Sequence, residues 1–165
     1  MTPAQAAFVA ALAVILGLVA AFGLIVVARA RLGVGGGPIG PITRLARPST
    51  ARLELHRWAF YAHRVSGVGI LAFLALHLVD IGIVAISPAL YDEVHVLYGT
   101  PPLRVFEVGL LAGILFHAFN GLRLLLLDLV DVGLRGSERL LWLAVGLTVV
   151  VTIPAAIVIL GPVFA

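Results

Sequence analysis

The sequence predicts an all-α integral membrane protein with four transmembrane helices. Of its 165 residues, 62% are hydrophobic and only 12% are charged, about half the charged fraction of a soluble domain. The mean hydropathy is +1.17, and a water-soluble domain of this size could not bury that much apolar surface. The same hydrophobicity excludes a disordered chain. The lack of cysteine excludes disulfides, thiolate metal sites and a catalytic thiol.

Four apolar stretches are long enough to cross a bilayer, which takes about 20 helical residues. They cover residues 4–28, 65–86, 105–127 and 140–163. The first lacks a basic leading region and exceeds the apolar run of a signal peptide, so we expect a retained helix. Residues 32–50 are rich in glycine and proline and predict a linker between an N-terminal helix (1–31) and a three-helix domain (51–165). The more polar residues 50–61 predict a short amphipathic helix at the membrane interface.

The arginines predict the orientation of these spans. All 11 basic residues are arginine, and the pI is near 10.2; in a membrane protein this charge indicates topology rather than nucleic-acid binding. Ten arginines lie between the first two spans or at the junction of the last two, and only Arg104 lies at the opposite end. We therefore expect both termini outside the cell membrane and the two arginine-rich segments in the cytoplasm. The ten are Arg29, Arg31, Arg44, Arg47, Arg52, Arg57, Arg64, Arg123, Arg135 and Arg139.

His117 lies near the middle of the third span, where an ionisable side chain is costly and usually functional. Gly109, Gly113, His117 and Gly121 are spaced four residues apart, so the glycines share the helix face of His117. Such a strip lets a flat, bulky group approach the backbone. It also suits close packing of helices, and the sequence alone does not separate these two interpretations.

His77 lies in the second span, one turn from Asp80, which could orient its imidazole through a hydrogen bond or could be only an interfacial acid. Neutral imidazoles are ligands of haem iron. His77 and His117 could bracket one haem between antiparallel helices, or each could serve a separate haem with a second ligand from another chain.

A cationic cluster is expected on the cytoplasmic side, formed by His63, Arg64 and Arg123. These groups suit haem propionates or a quinone carbonyl. Snorkelling at a span end is the stronger alternative for Arg123, whereas His63 and Arg64, together with Ser66, favour function.

Two motifs make the chain resemble the cytochrome b membrane-anchor subunit of succinate dehydrogenase (succinate:quinone oxidoreductase). The first is His63-Arg64-Val65-Ser66-Gly67, and the second runs from His117 through Gly121 to Arg123, with Asp128 beyond it. The segment from Leu76 to Tyr91 is similar to the actinobacterial type. The resemblance is clear over residues 57–131 and loose over the fourth span. Phe60 departs from the pattern, because many members have a quinone-contacting serine there.

The resemblance implies specific roles. His117 would bind haem b, with the opposite ligand supplied by a second small membrane subunit, and His77 would bind a second haem nearer the outer surface. His63, Arg64, Ser66 and Arg123 would lie near the haem propionates and the quinone, and Gly113 and Gly121 would line the cofactor site. No dicarboxylate site would lie on this chain.

The resemblance also implies partners. An iron–sulfur subunit and a flavoprotein subunit would deliver electrons from succinate to quinone, and complexes of this family often assemble as trimers. Two alternatives stay open: a haem b anchor of another oxidoreductase, such as a fumarate reductase, hydrogenase or ferric reductase, and a haem-free membrane packing or assembly protein.

Overall fold

The computed structural model describes residues 1–32, 48–130 and 133–164, with the backbone alone described for 29–32 and 48–54. Over these residues the chain is helical, apart from short connections. The segment from Val96 to Gly99 is a 3₁₀ turn. The helices are α1 (Pro3–Leu32), α2 (Pro48–Ile86), α3 (Pro88–His95), α4 (Pro101–Leu129) and α5 (Gly133–Phe164).

The four expected spans are confirmed as helices α1, α2, α4 and α5, each long and apolar enough to cross a membrane. The expectation of a separate interfacial helix at residues 50–61 is wrong. Those residues are the first turns of α2, whose 39 residues extend about 58 Å, well beyond the ~30 Å hydrocarbon core. Pro48 suits the first helical turn, and α2 contains no further proline. Of the expected linker, residues 33–47 lie outside the described part.

Helix α1 packs antiparallel to α2 within the same chain. A Cβ on Gly23 would lie 3.8 Å from Val65, and one on Gly69 would lie 3.8 Å from Val19, so glycines bring the two backbones close. Gln5 Nε2 donates a hydrogen bond of 3.0 Å to the carbonyl oxygen of Glu93 in α3. Helix α1 is therefore an integral part of the fold at its N-terminal end.

The segment between α2 and α4 closes one end of the bundle. Its helix α3 begins at Ser87, whose Oγ accepts from the Leu90 N–H at 3.3 Å, an N-terminal cap. Below it lies a buried apolar cluster that joins α1, α2 and α3. The cluster consists of Phe8, Leu12, Leu76 and Val94.

A polar pair lies beside this cluster. The Tyr98 hydroxyl donates to Asp80 Oδ2 at 3.0 Å, and Asp80 is only 4% exposed. The other carboxylate oxygen, Oδ1, is buried and has no hydrogen-bond partner among the described residues. Burial first, and the bond to Asp80 second, raise the pKa of Tyr98 above its usual value. Tyr98 is therefore the group that keeps the Asp80 carboxylate compatible with its buried position.

Helices α4 and α5 form an antiparallel hairpin. Gly133 begins α5 with φ of 61°, a left-handed conformation that favours glycine. At the other end of the hairpin, Arg104 Nη1 donates to the Ile159 carbonyl oxygen at 3.4 Å. Most other side chains on the outer faces of the helices are large, apolar and exposed, as expected of surfaces that meet lipid.

Tyr98→Phe keeps the ring contact with Phe8, whose centroid lies 5.6 Å away, but leaves the Asp80 carboxylate without a donor. We expect a loss of about 1–3 kcal/mol in the free energy of unfolding, measured by thermal denaturation of the purified complex. Tyr91→Phe is the matched control, because no hydrogen bond of its hydroxyl is found in the described ranges.

The effect of Tyr98→Phe on stability should also depend on pH in the alkaline range. Because folding raises the pKa of Tyr98, its contribution to stability is complete below pH ~10 and is lost as the pH rises further. Tyr98→Phe should remove that loss. An equal effect of both phenylalanine variants would contradict the role given to this bond.

Candidate functional site

The centre of the site is the crossing of α2 and α4, where two expected residues meet. The imidazoles of His63 and His117 stack face to face, with ring centroids 3.9 Å apart and planes inclined by 8°. His117 Nδ1 lies 3.0 Å from the His63 carbonyl oxygen and 3.2 Å from Ser66 Oγ. The Ser66 hydroxyl donates to the same carbonyl oxygen at 2.9 Å. The motif residues His63 and Ser66 therefore hold one edge of His117.

These contacts define the protonation of His117. A carbonyl oxygen only accepts hydrogen bonds, so Nδ1 carries the hydrogen and donates it. In a neutral imidazole the other nitrogen, Nε2, then has the free lone pair. Nε2 makes no hydrogen bond to any residue that the structure describes. A metal-ligating histidine has this arrangement: one nitrogen is fixed by a backbone carbonyl and the other is available.

Two glycines make room for the stacked rings. A Cβ on Gly67 would lie 2.8 Å from His117 Cε1, and a Cβ on Gly121 would lie 3.3 Å from His63 Cε1. The first distance is too short for any other residue without a shift of the imidazole. Gly121 thus accommodates His63, while Gly67, the last residue of the first motif, sets the position of His117.

His63 and Arg64 present two further polar groups near the crossing. His63 Nδ1 is buried and has no hydrogen-bond partner in the described parts of the chain. Arg64 is exposed, and its guanidinium carbon lies 4.2 Å from the centroid of the Phe60 ring, a cation–π contact. Phe60, which departs from the family pattern, thereby orients Arg64. The exposed Arg64 could bind an acceptor from outside this chain.

His77 lies at a different depth. It stacks on Phe73 at 5.6 Å, and Phe73 in turn contacts Phe106 on α4. His77 is 11 residues after Ser66, or about 16 Å further along α2, so it cannot bracket one metal centre with His117. Of the two alternatives for Asp80, a hydrogen bond accepted from His77 is not found in the described residues, and Asp80 accepts from Tyr98 instead. Only the interpretation with separate sites is compatible with this spacing.

Snorkelling, the stronger alternative for Arg123 from the sequence, is wrong. Arg123 is 5% exposed and cross-links three helices. Its guanidinium donates to Asn120 Oδ1 at 3.2 Å, to His56 Nδ1 at 2.7 Å, and to both the carbonyl oxygen and Oγ of Ser137 at 3.3 and 3.1 Å. The hydrogen bonds to these neutral acceptors offset part of the free energy that burying the guanidinium costs. His56 and Ser137 were not singled out from the sequence, where no local pattern joins them to Arg123.

An apolar cavity of about 260 Å³ adjoins the crossing on its Ser66 side. It lies between α1, α2 and α4, and Gly109 and Gly113 form part of its wall. No atom lies within 4 Å of a Cβ built on either glycine. The glycine row seen in the sequence thus serves two purposes: Gly109 and Gly113 border open space, and Gly121 faces His63.

These features define a multi-pass membrane protein with a histidine site between antiparallel helices. In the described ranges no group of three or more His, Cys, Asp or Glu residues forms a self-contained metal site. The rings of His63 and His117 lie face to face, so their nitrogens do not converge on one shared centre.

The family described as "Succinate dehydrogenase/Fumarate reductase transmembrane subunit" matches residues 41–155. The chain belongs to this family and is a membrane anchor subunit. It is 36% identical over 102 residues to the succinate dehydrogenase 2 membrane subunit SdhC of Mycobacterium tuberculosis, which covers 62% of this chain and 75% of that protein. It is 31% identical over 97 residues to the succinate dehydrogenase hydrophobic membrane anchor subunit of Halobacterium salinarum, which covers 58% and 74%. Helix α1 lies outside the family match.

Arg123→Gln tests the buried cross-link. Removing the guanidinium leaves acceptors on His56, Asn120 and Ser137 without donors, so we expect about 2–4 kcal/mol of lost stability. Arg135→Gln, at an exposed position, should change stability by less than about 0.5 kcal/mol. Thermal denaturation of the purified complex compares the two. Similar values for both variants would show that the Arg123 contacts do not hold the helices together.

Proposed function

We propose that this chain is the haem b-binding membrane anchor of a succinate:quinone oxidoreductase, and that it helps pass electrons from succinate to quinone. The observation that carries the proposal is the arrangement of His117, whose Nδ1–H is committed to the His63 carbonyl while Nε2 is free. His117 lies within the part of the chain that matches the family of succinate dehydrogenase and fumarate reductase transmembrane subunits, which supports this assignment. The chain itself is a non-catalytic subunit, and succinate is oxidised on a soluble partner.

The residues present fit a haem. His117 Nε2 would bind the iron, and the exposed Arg64, with His63 beside it, would hold propionates or a quinone carbonyl. Ser66 supports the bond that orients His117, and Gly67 gives its ring room. The haem supplies a one-electron carrier between the soluble subunits and quinone. Arg123, with its donors engaged by three helices, shapes the site rather than contacting the cofactor.

A second ligand to the iron would come from another small membrane subunit. No other histidine of the described residues points at His117, since His63 is stacked on it and His77 is about 16 Å away along α2. His77 is a separate candidate, a ligand for a second haem nearer the opposite surface. Its contact with Phe73 leaves the ring half-buried.

The complex lies in the cytoplasmic membrane in this proposal, with both termini of this chain outside. The arginine bias places the His63 end of α2 and the Arg123 end of α4 on the cytoplasmic side, where the iron–sulfur and flavoprotein subunits dock. Residues 51–165 form the three-helix anchor domain and α1 is an addition to it. Trimers of the complex are the expected assembly.

Haem content of the purified complex, measured as pyridine haemochrome, tests the assignment of ligands. We expect His117→Ala to lose one haem per complex and His95→Ala, at an exposed histidine outside the spans, to lose none. His77→Ala decides the number of haems per complex. Loss of a haem in this variant would indicate a two-haem complex, and no loss would indicate a one-haem complex. Wild-type complex without haem would overturn the proposal in favour of histidines that serve only helix packing.

Gly67→Ala tests the positioning of His117 without removing a ligand. The new Cβ would lie 2.8 Å from His117 Cε1, so the imidazole must move, and we expect haem affinity to fall about 10–100-fold. Gly69→Ala is the matched control, because its Cβ would make an ordinary contact of 3.8 Å with Val19. Titration of haem into complex depleted of it compares the two variants. Unchanged affinity in Gly67→Ala would contradict the assigned orientation of the ring.

A further inference from the structure

We propose that the cavity between α1, α2 and α4 takes the isoprenoid tail of the quinone, and that α1, the helix outside the family match, forms its wall. This inference rests on the proposed function and extends it to the substrate. The residues from α1 are Leu12, Ile15, Leu16 and Val19, and Ser66 is the polar side chain in the lining.

The shape of the cavity fits a chain rather than a ring system. Along α2 its lining extends from Val65 and Ser66 to Leu76, a length of about 15 Å. Its volume is about 260 Å³. A small volume spread over that length is narrow. Gly69, Gly109 and Gly113 keep the space open, because larger side chains at these positions would project into it.

The two ends of the cavity differ. At the far end, Leu12 and Leu76 belong to the buried cluster with Phe8 and Val94, which closes the cavity toward α3. At the near end, Ser66 contacts His117 and lies one turn from the unpartnered Nδ1 of His63. An apolar tail attached to a headgroup at the His63 end can therefore run toward the closed end.

A haem and a phospholipid fit this space less well. Ser66 bonds Nδ1 of His117, so the cavity lies on the Nδ1 side of the imidazole, away from the Nε2 that would bind iron. A phospholipid chain entering along the helices from the α3 end would meet the closed end of the cavity.

The test uses the intact complex and two quinones with the same headgroup, one with an isoprenoid tail and one with only a methyl group. The headgroup is benzoquinone or naphthoquinone, whichever the wild-type complex reduces. Gly109→Leu fills the cavity, and Gly82→Leu is the matched control, because no atom lies within 4 Å of its Cβ and it does not line the cavity. Leu16→Trp and Leu18→Trp form a second pair on α1, of which only Leu16 lines the cavity.

We expect Gly109→Leu and Leu16→Trp to raise the KM for the tailed quinone about tenfold, which corresponds to about two buried methylene groups. The KM for the tail-less quinone and both control variants should be unchanged. An unchanged KM for the tailed quinone, or equal rises for both quinones, would overturn the tail assignment. If Gly109→Leu does not assemble, the α1 pair decides. Haem content and succinate oxidation with an artificial dye are measured in parallel, since their loss in the wild type would instead contradict the proposed function.

Discussion

An imidazole N–H inside a membrane-spanning bundle needs an acceptor, because the hydrocarbon around it offers none. For His117 the acceptor is the carbonyl oxygen of His63, supported by Ser66. This bond leaves Nε2 as the free nitrogen, and it fixes where α4 crosses α2. The close approach is possible because Gly67 and Gly121 leave space for the stacked rings. The proposed chemistry of the site and the packing of the two helices thus depend on one contact.

Polar ties at other depths complete the bundle. The Arg123 guanidinium joins α4 to α2 and α5 near one end of the bundle. Near the other end, the Tyr98 hydroxyl donates a hydrogen bond to the buried Asp80. Apolar side chains pack against lipid almost as well as against each other, so such ties and close glycine contacts specify the register of membrane helices. Helix α1 is held by the same two kinds of contact. Gln5 is hydrogen-bonded to α3, and Gly23 and Gly69 lie close to side chains of the facing helix.

Hydropathy predicted the four spans because spanning requires long apolar helices, and that requirement is local to each segment. The two motifs predicted that His63 and His117 belong to one site, but not that their rings stack. Helical periodicity does not determine how two helices cross. The same limit explains why the partners of Arg123 and Asp80 were not predicted. Their partners, His56 and Ser137 for one and Tyr98 for the other, lie on other elements. Helix α3 had a local signal, Ser87 followed by Pro88, that predicts a helix start.

The most direct test of the account is the optical spectrum of the intact complex before and after addition of succinate. The account predicts that succinate produces the reduced band of a low-spin b-type haem in the wild type, and that this band is lost or halved in His117→Ala while dye-linked succinate oxidation persists. A band of equal size in both proteins would contradict the assignment of His117 as a ligand. The absence of any haem band in the wild type would contradict the cytochrome function itself.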